Sequence, residues 1–351
     1  MKLKDLLRGI PVLSATADPD LDIGGVSYDS RATKPGDLFV AMKGFAVDGH
    51  TFIGKAAAAG AAAVLCQDVP EGTEIPYVQV ADSRRALAEV GANYFGHPAD
   101  DMTMVAVTGT NGKTTTTYLL KAILEQAAGA KVGLIGTNQN MIGSEVIPTE
   151  RTTPESFEVQ KLFARMRDAG CTHVVMEVSS HAIDQQRVCG VPFAGAAFTN
   201  LTQDHLDFHK DMESYFKTKA RLFLELPRAE KVMAVNADDP WGRRLLELCP
   251  RALSFGLQQG PPRRRHLWGE LLSAGTEGCR LRMHLEGRTW ELRSPLVGAF
   301  NASNLLTVQA LALETGLDPA QFKALESFTG VCGRLERVEN SQGLNVFVDY
   351  A

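Results

Sequence analysis

The sequence predicts an α/β protein: a small amino-terminal α/β unit followed by a larger unit on a mostly parallel sheet. Three observations carry this. From residue 102 to 236, apolar strands alternate with helical stretches, the pattern of parallel strands covered on both faces. Gly96-His97-Pro98 interrupts the chain between an earlier α/β stretch and this one. At 351 residues the chain exceeds one average domain.

In order, Met1 to Arg8 reads as an amphipathic helix start. Asp37 to Met42 is a strand, Phe52 to Ala59 a helix ended by Gly60, and Ala63 to Leu65 a strand. Pro76 to Val80 is another strand, and Arg84 to Phe95 a helix with an apolar face at Leu87, Val90, Ala92 and Tyr94. In the second unit, strands are expected at Met102–Val107, Lys131–Ile135, Thr172–Val178, Ala194–Asn200 and Lys231–Asn236. Helices are expected after Gly112, at Glu155–Asp168 and at Glu213–Glu225. Functional side chains in such a sheet gather at the strands' carboxyl ends, where Gly109, Glu177, Asn200 and Asn236 fall. Residues 256–294 change texture: a polar loop with Arg263 to Arg265, then a hairpin of Cys279–Leu285 and Thr289–Leu292 about Glu286–Arg288. Asn301–Thr315 is a helix closed by Gly316, and a strand begins at Leu344.

Composition excludes several functions. A net charge of −5 gives no basis for nucleic-acid binding. The longest apolar stretch, Ala56 to Leu65, is too short to span a bilayer, and the amino terminus lacks a secretory apolar core, so no membrane insertion is expected. Six scattered cysteines form no Cys-x-x-Cys pair, which argues against a zinc site or disulfide framework and fits a reducing cytoplasm.

Chemistry concentrates at Gly109-Thr110-Asn111-Gly112-Lys113-Thr114-Thr115. A strand enters a glycine-bearing turn that opens a helix, so main-chain N–H groups and the helix dipole face an anion. Lys113 offers a cation for phosphate and Thr114 a hydroxyl for Mg²⁺. Val107 stands where the standard loop has its first glycine, so the loop is a variant. Glu177 ends a buried strand and suits a Mg²⁺ ligand, or a cap for the following helix. Asp204, His205, Asp207 and His209 crowd a second strand end, for a metal or for proton transfer. Helical periodicity alone puts Lys219 in solvent. Ser30, Arg31, Thr152 and Thr153 suit phosphate or carboxylate binding, and turn and capping roles explain them equally well.

Together these segments resemble the Mur ligases. The match is nearest to the MurE type, which adds a diamino acid to UDP-N-acetylmuramoyl-L-alanyl-D-glutamate. The resemblance runs through Tyr28-Asp-Ser-Arg31, Asp48-Gly49, the Thr108–Thr115 loop, Arg151-Thr-Thr-Pro154, Met176 to His181, Asp204-His-Leu-Asp207, Lys219, Gly298 to Asn304, Gly333-Arg334 and Asp349-Tyr-Ala351. It implies three regions: 1–97 binding the UDP-sugar, 98–333 binding ATP, and 334–351 as the first strand of a truncated Rossmann-like domain. Gly109–Thr115, Asn304 and Arg334 would hold ATP. Tyr28, Ser30, Phe45, Ala46 and Val47 would touch the uridine nucleotide, and Thr152, Thr153, Ser179, Gln185 and Arg187 the muramoyl dipeptide. Thr114, Glu177, His205 and Lys219 would serve Mg²⁺, Lys219 as a CO₂-derived carbamate. Lys113 would act in catalysis with Glu177, His205 and Lys219. The implied reaction passes through an acyl phosphate, in the cytoplasm of a bacterium, in a monomer. Arg151 stands where the family commonly has Asn. The residues that separate meso-diaminopimelate from L-lysine would belong to the missing domain. Without that domain, a nucleotide and UDP-sugar binding module is the rival expectation. A folylpolyglutamate-type ligase shares the loop but not the Asp-Ser-Arg segment.

Overall fold

The structure, a computed structural model, describes residues 1–44, 47–72, 74–225, 232–260, 264–342 and 344–350. The chain divides into two compact units. One comprises Met1–Pro98, Glu155–Ala164 and Gln185–Gly190, and the other the remainder.

The first unit runs α1 (Leu3–Leu6), β1 (Val12–Ala15), β2 (Gly25–Ser27), β3 (Asp37–Val40), α2 (Ile53–Ala58), β4 (Ala63–Cys66), β5 (Tyr77–Val80) and α3 (Ser83–Phe95). Its sheet has the order β1-β5-β4-β3-β2, parallel except for β1. β3 and β4 are buried along their whole length, as strands covered on both faces must be. Asp82 caps α3 by accepting from the Arg84 and Arg85 amides, and Gly96, at φ 70°, ends it. β1 and β2 escape sequence reading because they are short, largely accessible and lack alternation.

The second unit begins with β6 (Thr103–Thr108), α4 (Lys113–Ala128), β7 (Val132–Ile135), β8 (Asn140–Ile142) and β9 (Glu145–Ile147). α5 (Ser156–Asp168), whose first part counts with the amino-terminal unit, leads to β10 (His173–Glu177), α6 (Ser180–Asp184) and β11 (Phe193–Phe198). Then come α7 (Leu206–His209), α8 (Met212–Leu224), β12 (Val232–Asn236), α9 (Pro240–Leu248), β13 (Leu253–Gly256), β14 (His266–Gly275), β15 (Gly278–Leu285), β16 (Arg288–Ser294) and α10 (Phe300–Glu314). The expected hairpin is β15–β16, but it is the edge of the main sheet, joined through β14 and β13, neither of which the turn-rich sequence announces. The strand expected from Leu344 is β18 (Val346–Val348), paired antiparallel with β17 (Glu336–Val338).

Eleven strands form that sheet, in the order β16-β15-β14-β13-β12-β11-β6-β10-β7-β8-β9. The seven from β14 to β7 are parallel, with antiparallel pairs at both edges. β6 is central between β10 and β11. The register sets Glu177 opposite Val107 and Phe198 opposite Thr108 and Val235, so four carboxyl ends finish level. α4 and α10 bury Leu119, Leu120, Leu305 and Leu306 with Val105 and Val107, fixing the loop after β6 between a rigid strand and rigid helices. No helix among the described residues is long and apolar enough to cross a membrane.

Candidate active site

β6 ends at Thr108 and α4 starts at Lys113, so the turn between them is four residues long. Gly109 has φ +147°, and a Cβ there would lie 2.0 Å from Thr199 Oγ1. Gly112 has φ +84°, and a Cβ there would lie 2.3 Å from Asn304 Oδ1. Glycine is required at both positions by conformation and by space. The end of β11 braces the turn. The Thr110 amide donates to the Asn200 carbonyl (2.9 Å), the Asn111 amide to Asn200 Oδ1 (2.9 Å), and Thr199 Oγ1 to the Asn111 carbonyl (2.6 Å). Asn236 Nδ2 in turn donates to the Thr199 carbonyl (2.7 Å). Thr114 and Thr115 are buried in the first turn of α4.

Two lysine amines converge on this turn. Lys113 Nζ donates to the Gly109 carbonyl (3.1 Å) and the Thr110 carbonyl (2.8 Å). Lys219 Nζ, from α8, donates to the same Gly109 carbonyl (3.0 Å) and to Thr108 Oγ1 (3.3 Å), and lies 4.9 Å from the centre of the Tyr215 ring. Burial lowers both pKa values. For Lys219 the fall is large, with the Lys113 charge adding to burial and Asp204 opposing both. Lys219 is 1% exposed, which corrects the expectation that it faces solvent. Tyr215, Phe216, Ala220, Leu222 and Phe223 form a buried stripe of α8, and position 219 falls inside it. That stripe is the signal the sequence held.

Glu177 is fully buried. Its Oε1 accepts from the Thr137 amide (2.9 Å), and its Oε2 lies 3.0 Å from the Thr137 hydroxyl and 3.2 Å from that of Thr114. The Thr137 hydroxyl is also 3.0 Å from Thr152 Oγ1. Thr153 Oγ1 donates to the Glu177 carbonyl (2.8 Å) and accepts from the Ser179 amide (3.3 Å), while Ser179 Oγ caps α6 through the Ala182 amide (3.2 Å). A buried carboxylate touching a threonine hydroxyl is an oxygen donor set for a hard cation, so Thr114 and Glu177 fit Mg²⁺. Sequence reading missed Thr137, although it follows the carboxyl end of β7, where the same rule applies.

His205, at φ 52°, has its Nε2 3.4 Å from Asp204 Oδ2. Its ring meets those of His181 and Tyr215 edge-on, at 5.0 and 6.1 Å between centroids. The buried His209 stacks on Tyr215 at 4.8 Å, and burial, then the His181 charge, pushes its pKa down to about 4. Tyr215 is thus the common neighbour of His205, His209 and Lys219. On α10, Asn304 donates to Asn301 Oδ1 (2.8 Å). Arg334 donates to the Tyr350 carbonyl (3.1 Å), and its charge helps to lower the Lys113 pKa.

The expected substrate residues divide between the units. Thr152, Thr153 and Ser179 belong to the second, and Tyr28, Ser30, Val47, Gln185 and Arg187 to the first. Tyr28 donates its hydroxyl to the Glu158 carboxylate, Ser30 is half-buried, and Val47 is exposed. Phe45 and Ala46 lie outside the described residues, as do Arg263 and Ala351. Arg31 pairs with Asp29 at 2.6 Å. Arg187 Nη2 donates to Gln185 Oε1 (2.7 Å) and pairs with Glu155 at 2.9 Å. Asp48, His50 and Asp68 also meet in this unit. The His50 ring is already used: Nδ1 lies 2.6 Å from Asp48 Oδ1, and Nε2 accepts from the Gln67 amide (3.0 Å). That cluster is a structural clasp. Glu155 and Glu158, which position Arg187 and Tyr28, were missed because nothing local marks a surface-type glutamate as a partner of distant residues.

Comparison with known proteins agrees with this geometry. Residues 107–312 match the model of the Mur ligase middle domain, and residues 22–99 that of the Mur ligase family, catalytic domain. The UDP-N-acetylmuramoyl-L-alanyl-D-glutamate–2,6-diaminopimelate ligase of Lawsonia intracellularis is 44% identical over 330 residues, 93% of this chain and 68% of the relative. The ligase of the same name from Caldanaerobacter subterraneus subsp. tengcongensis is 40% identical over 353 residues, covering the whole of this chain and 71% of the relative. A solved structure of a ligase of that name superposes with a TM-score of 0.82 at 24% identity, covering 97% of this chain and 69% of the other, which shows the shared fold.

Proposed function

Because this chain belongs to the Mur ligase family, we propose that it is an ATP-dependent ligase of peptidoglycan synthesis. It would join a diamino acid, meso-diaminopimelate or L-lysine, to the D-glutamate side chain of UDP-N-acetylmuramoyl-L-alanyl-D-glutamate. The observation that carries the reading is the convergence of Lys113 and Lys219 on the Gly109 carbonyl, in the same carboxyl-end cluster as the buried Glu177.

The chemistry is carboxylate activation. ATP transfers its γ-phosphoryl group to the D-glutamate carboxylate, the diamino acid amine attacks the acyl phosphate, and phosphate leaves. Catalysis of such a transfer is chiefly positional and electrostatic. The Gly109–Thr115 loop cradles the phosphates through the amides that open α4, those of Thr110 and Asn111 being held by Asn200, and Lys113 leaves its carbonyl partners to neutralise the transferring group. Asn304 and Arg334 contact the nucleotide. Thr114 and Glu177 would hold Mg²⁺, with His205 and carbamylated Lys219 completing the metal sites, and the cation would supply charge neutralisation on the phosphates.

Lys219 has the property its role requires. A neutral amine adds CO₂ and releases one proton to give a carbamate, and burial, by lowering the pKa of this amine, favours the neutral form. The product is an anion, which the charge of the neighbouring Lys113 attracts. Tyr28, Ser30 and Val47 meet the uridine nucleotide. Gln185, Arg187, Thr152, Thr153 and Ser179 meet the dipeptide. A soluble nucleotide-linked substrate fits a cytoplasmic site of action. Calorimetry tests the assignment: UDP-N-acetylmuramoyl-L-alanyl-D-glutamate should bind at least roughly tenfold tighter than the precursor lacking D-glutamate, the increment of a charge-assisted contact to Arg187. Equal affinities contradict it.

A further inference from the structure

Arg84 lies in the first turn of α3 and faces two places at once. Its Nε donates to the Lys43 carbonyl (3.1 Å), at the entry to the 44–47 segment. Its Nη1 lies 3.6 Å from one oxygen of Glu155, whose other oxygen is 2.9 Å from Arg187. The three side chains are only 19%, 12% and 11% exposed. Yet Arg84 Nη1, withdrawn from solvent, has no hydrogen-bond partner among the described residues. A buried guanidinium N–H without an acceptor is costly, and an acceptor brought by a ligand would relieve it. One carboxylate shared by two guanidinium groups also leaves N–H capacity on Arg84 unused among the described residues.

We propose that Arg84 binds the diphosphate of the UDP-sugar substrate. This rests on the functional reading above, in which Val47, whose carbonyl accepts from the Gly44 amide (3.1 Å) next to Lys43, meets uridine and Arg187 meets the dipeptide. Arg84 joins those two places through Lys43 and Glu155, and in a UDP-sugar the group between uridine and sugar-peptide is the diphosphate. The planar fork of arginine suits phosphate oxygens, and Glu155 holds that fork in place.

The test compares uridine, UDP and UDP-N-acetylmuramoyl-L-alanyl-D-glutamate on the wild type, Arg84→Ala and Arg84→Lys, by calorimetry or ligand-observed NMR. Arg84→Ala should weaken UDP roughly ten- to hundredfold, the range of a hydrogen bond to a charged group. It should leave uridine and ATP affinities unchanged, and Arg84→Lys should fall between, keeping charge without the fork. An equal loss for uridine would mean that Arg84 only props Lys43 beside the uridine site, and would overturn the proposal. So would unchanged UDP affinity with a loss confined to the full substrate, which would assign Arg84 to a peptide carboxylate. Failure of the wild type to bind either UDP or the full substrate would sink the functional reading itself.

Discussion

In the phosphate loop the groups offered to a ligand are mostly main-chain amides, held by Gly109 and Gly112 and braced by Asn200 and Thr199. Around Arg187 in the amino-terminal unit, in the proposed substrate site, they would be side chains, drawn from the cluster of residues 84, 155, 185 and 187. A main-chain site depends on conformation, so its sensitive positions are the residues with no side chain. A side-chain site depends on charge and reach, so its sensitive positions are the arginines. Substitutions should therefore fail in different ways in the two regions.

The largest effect is expected at Gly109→Ala. The φ of +147° and the 2.0 Å approach to Thr199 leave a methyl group no room, and strain of roughly 1–3 kcal/mol would add to the displacement of the loop. ATP binding should become undetectable by calorimetry; retained affinity would break the distinction at its root. Arg187→Ala comes next. It should weaken the UDP-muramoyl dipeptide roughly ten- to hundredfold and leave ATP within about twofold, because one charged contact is lost and no backbone moves. A comparable loss of ATP binding would erase the contrast.

Lys219 sharpens the comparison, since it is a side chain built into the main-chain site. In the unfolded chain it stays protonated up to its ordinary 10.5, whereas the fold favours the neutral amine. Because the folded pKa lies well below that value, this lysine opposes folding most at low pH and ceases to do so as pH rises past 10.5. Lys219→Met should raise the melting temperature at pH 7 by a few degrees, and the gain should shrink toward pH 10. A lower melting temperature at pH 7 would show that the amine's hydrogen bonds to Thr108 and Gly109 outweigh its burial. The smallest effect concerns His209, whose pKa of about 4 lies below the ordinary 6.5. The folded ring stays neutral where the unfolded ring takes up a proton, so stability falls as pH drops from 6.5 to about 4. His209→Phe keeps a ring against Tyr215 and should flatten that part of the stability profile, read by denaturant midpoints. An unchanged slope would assign the acid sensitivity elsewhere.

The same contrast explains what the sequence made legible. Gly109, Gly112 and Lys113 are contiguous, and the strand before them and helix after them are strongly patterned, so the loop could be read residue by residue. Glu177 and Asn236 followed from the rule about strand ends. Thr137 obeys that rule and was overlooked, because β7 is only four residues long and its turn carries no charge. Arg84 and Glu155 are individually ordinary, and only the tertiary fold brings them to one carboxylate-centred cluster. Lys219 needed the family resemblance, since a lysine inside an apolar stripe reads as polar until its burial is seen. In the fold, β13 and β14 were hidden by a turn-rich segment whose pairing is set by the strand beside them.

The claim that most of this account rests on is that the Gly109–Thr115 loop holds Mg-ATP with Lys113 as its mobile cation. Calorimetric titration of Mg-ATP into the wild type and Lys113→Ala tests it most directly. Saturable one-site binding is expected for the wild type, with an affinity lower by roughly a hundredfold for the variant. Equal affinity of the two proteins for Mg-ATP would contradict it.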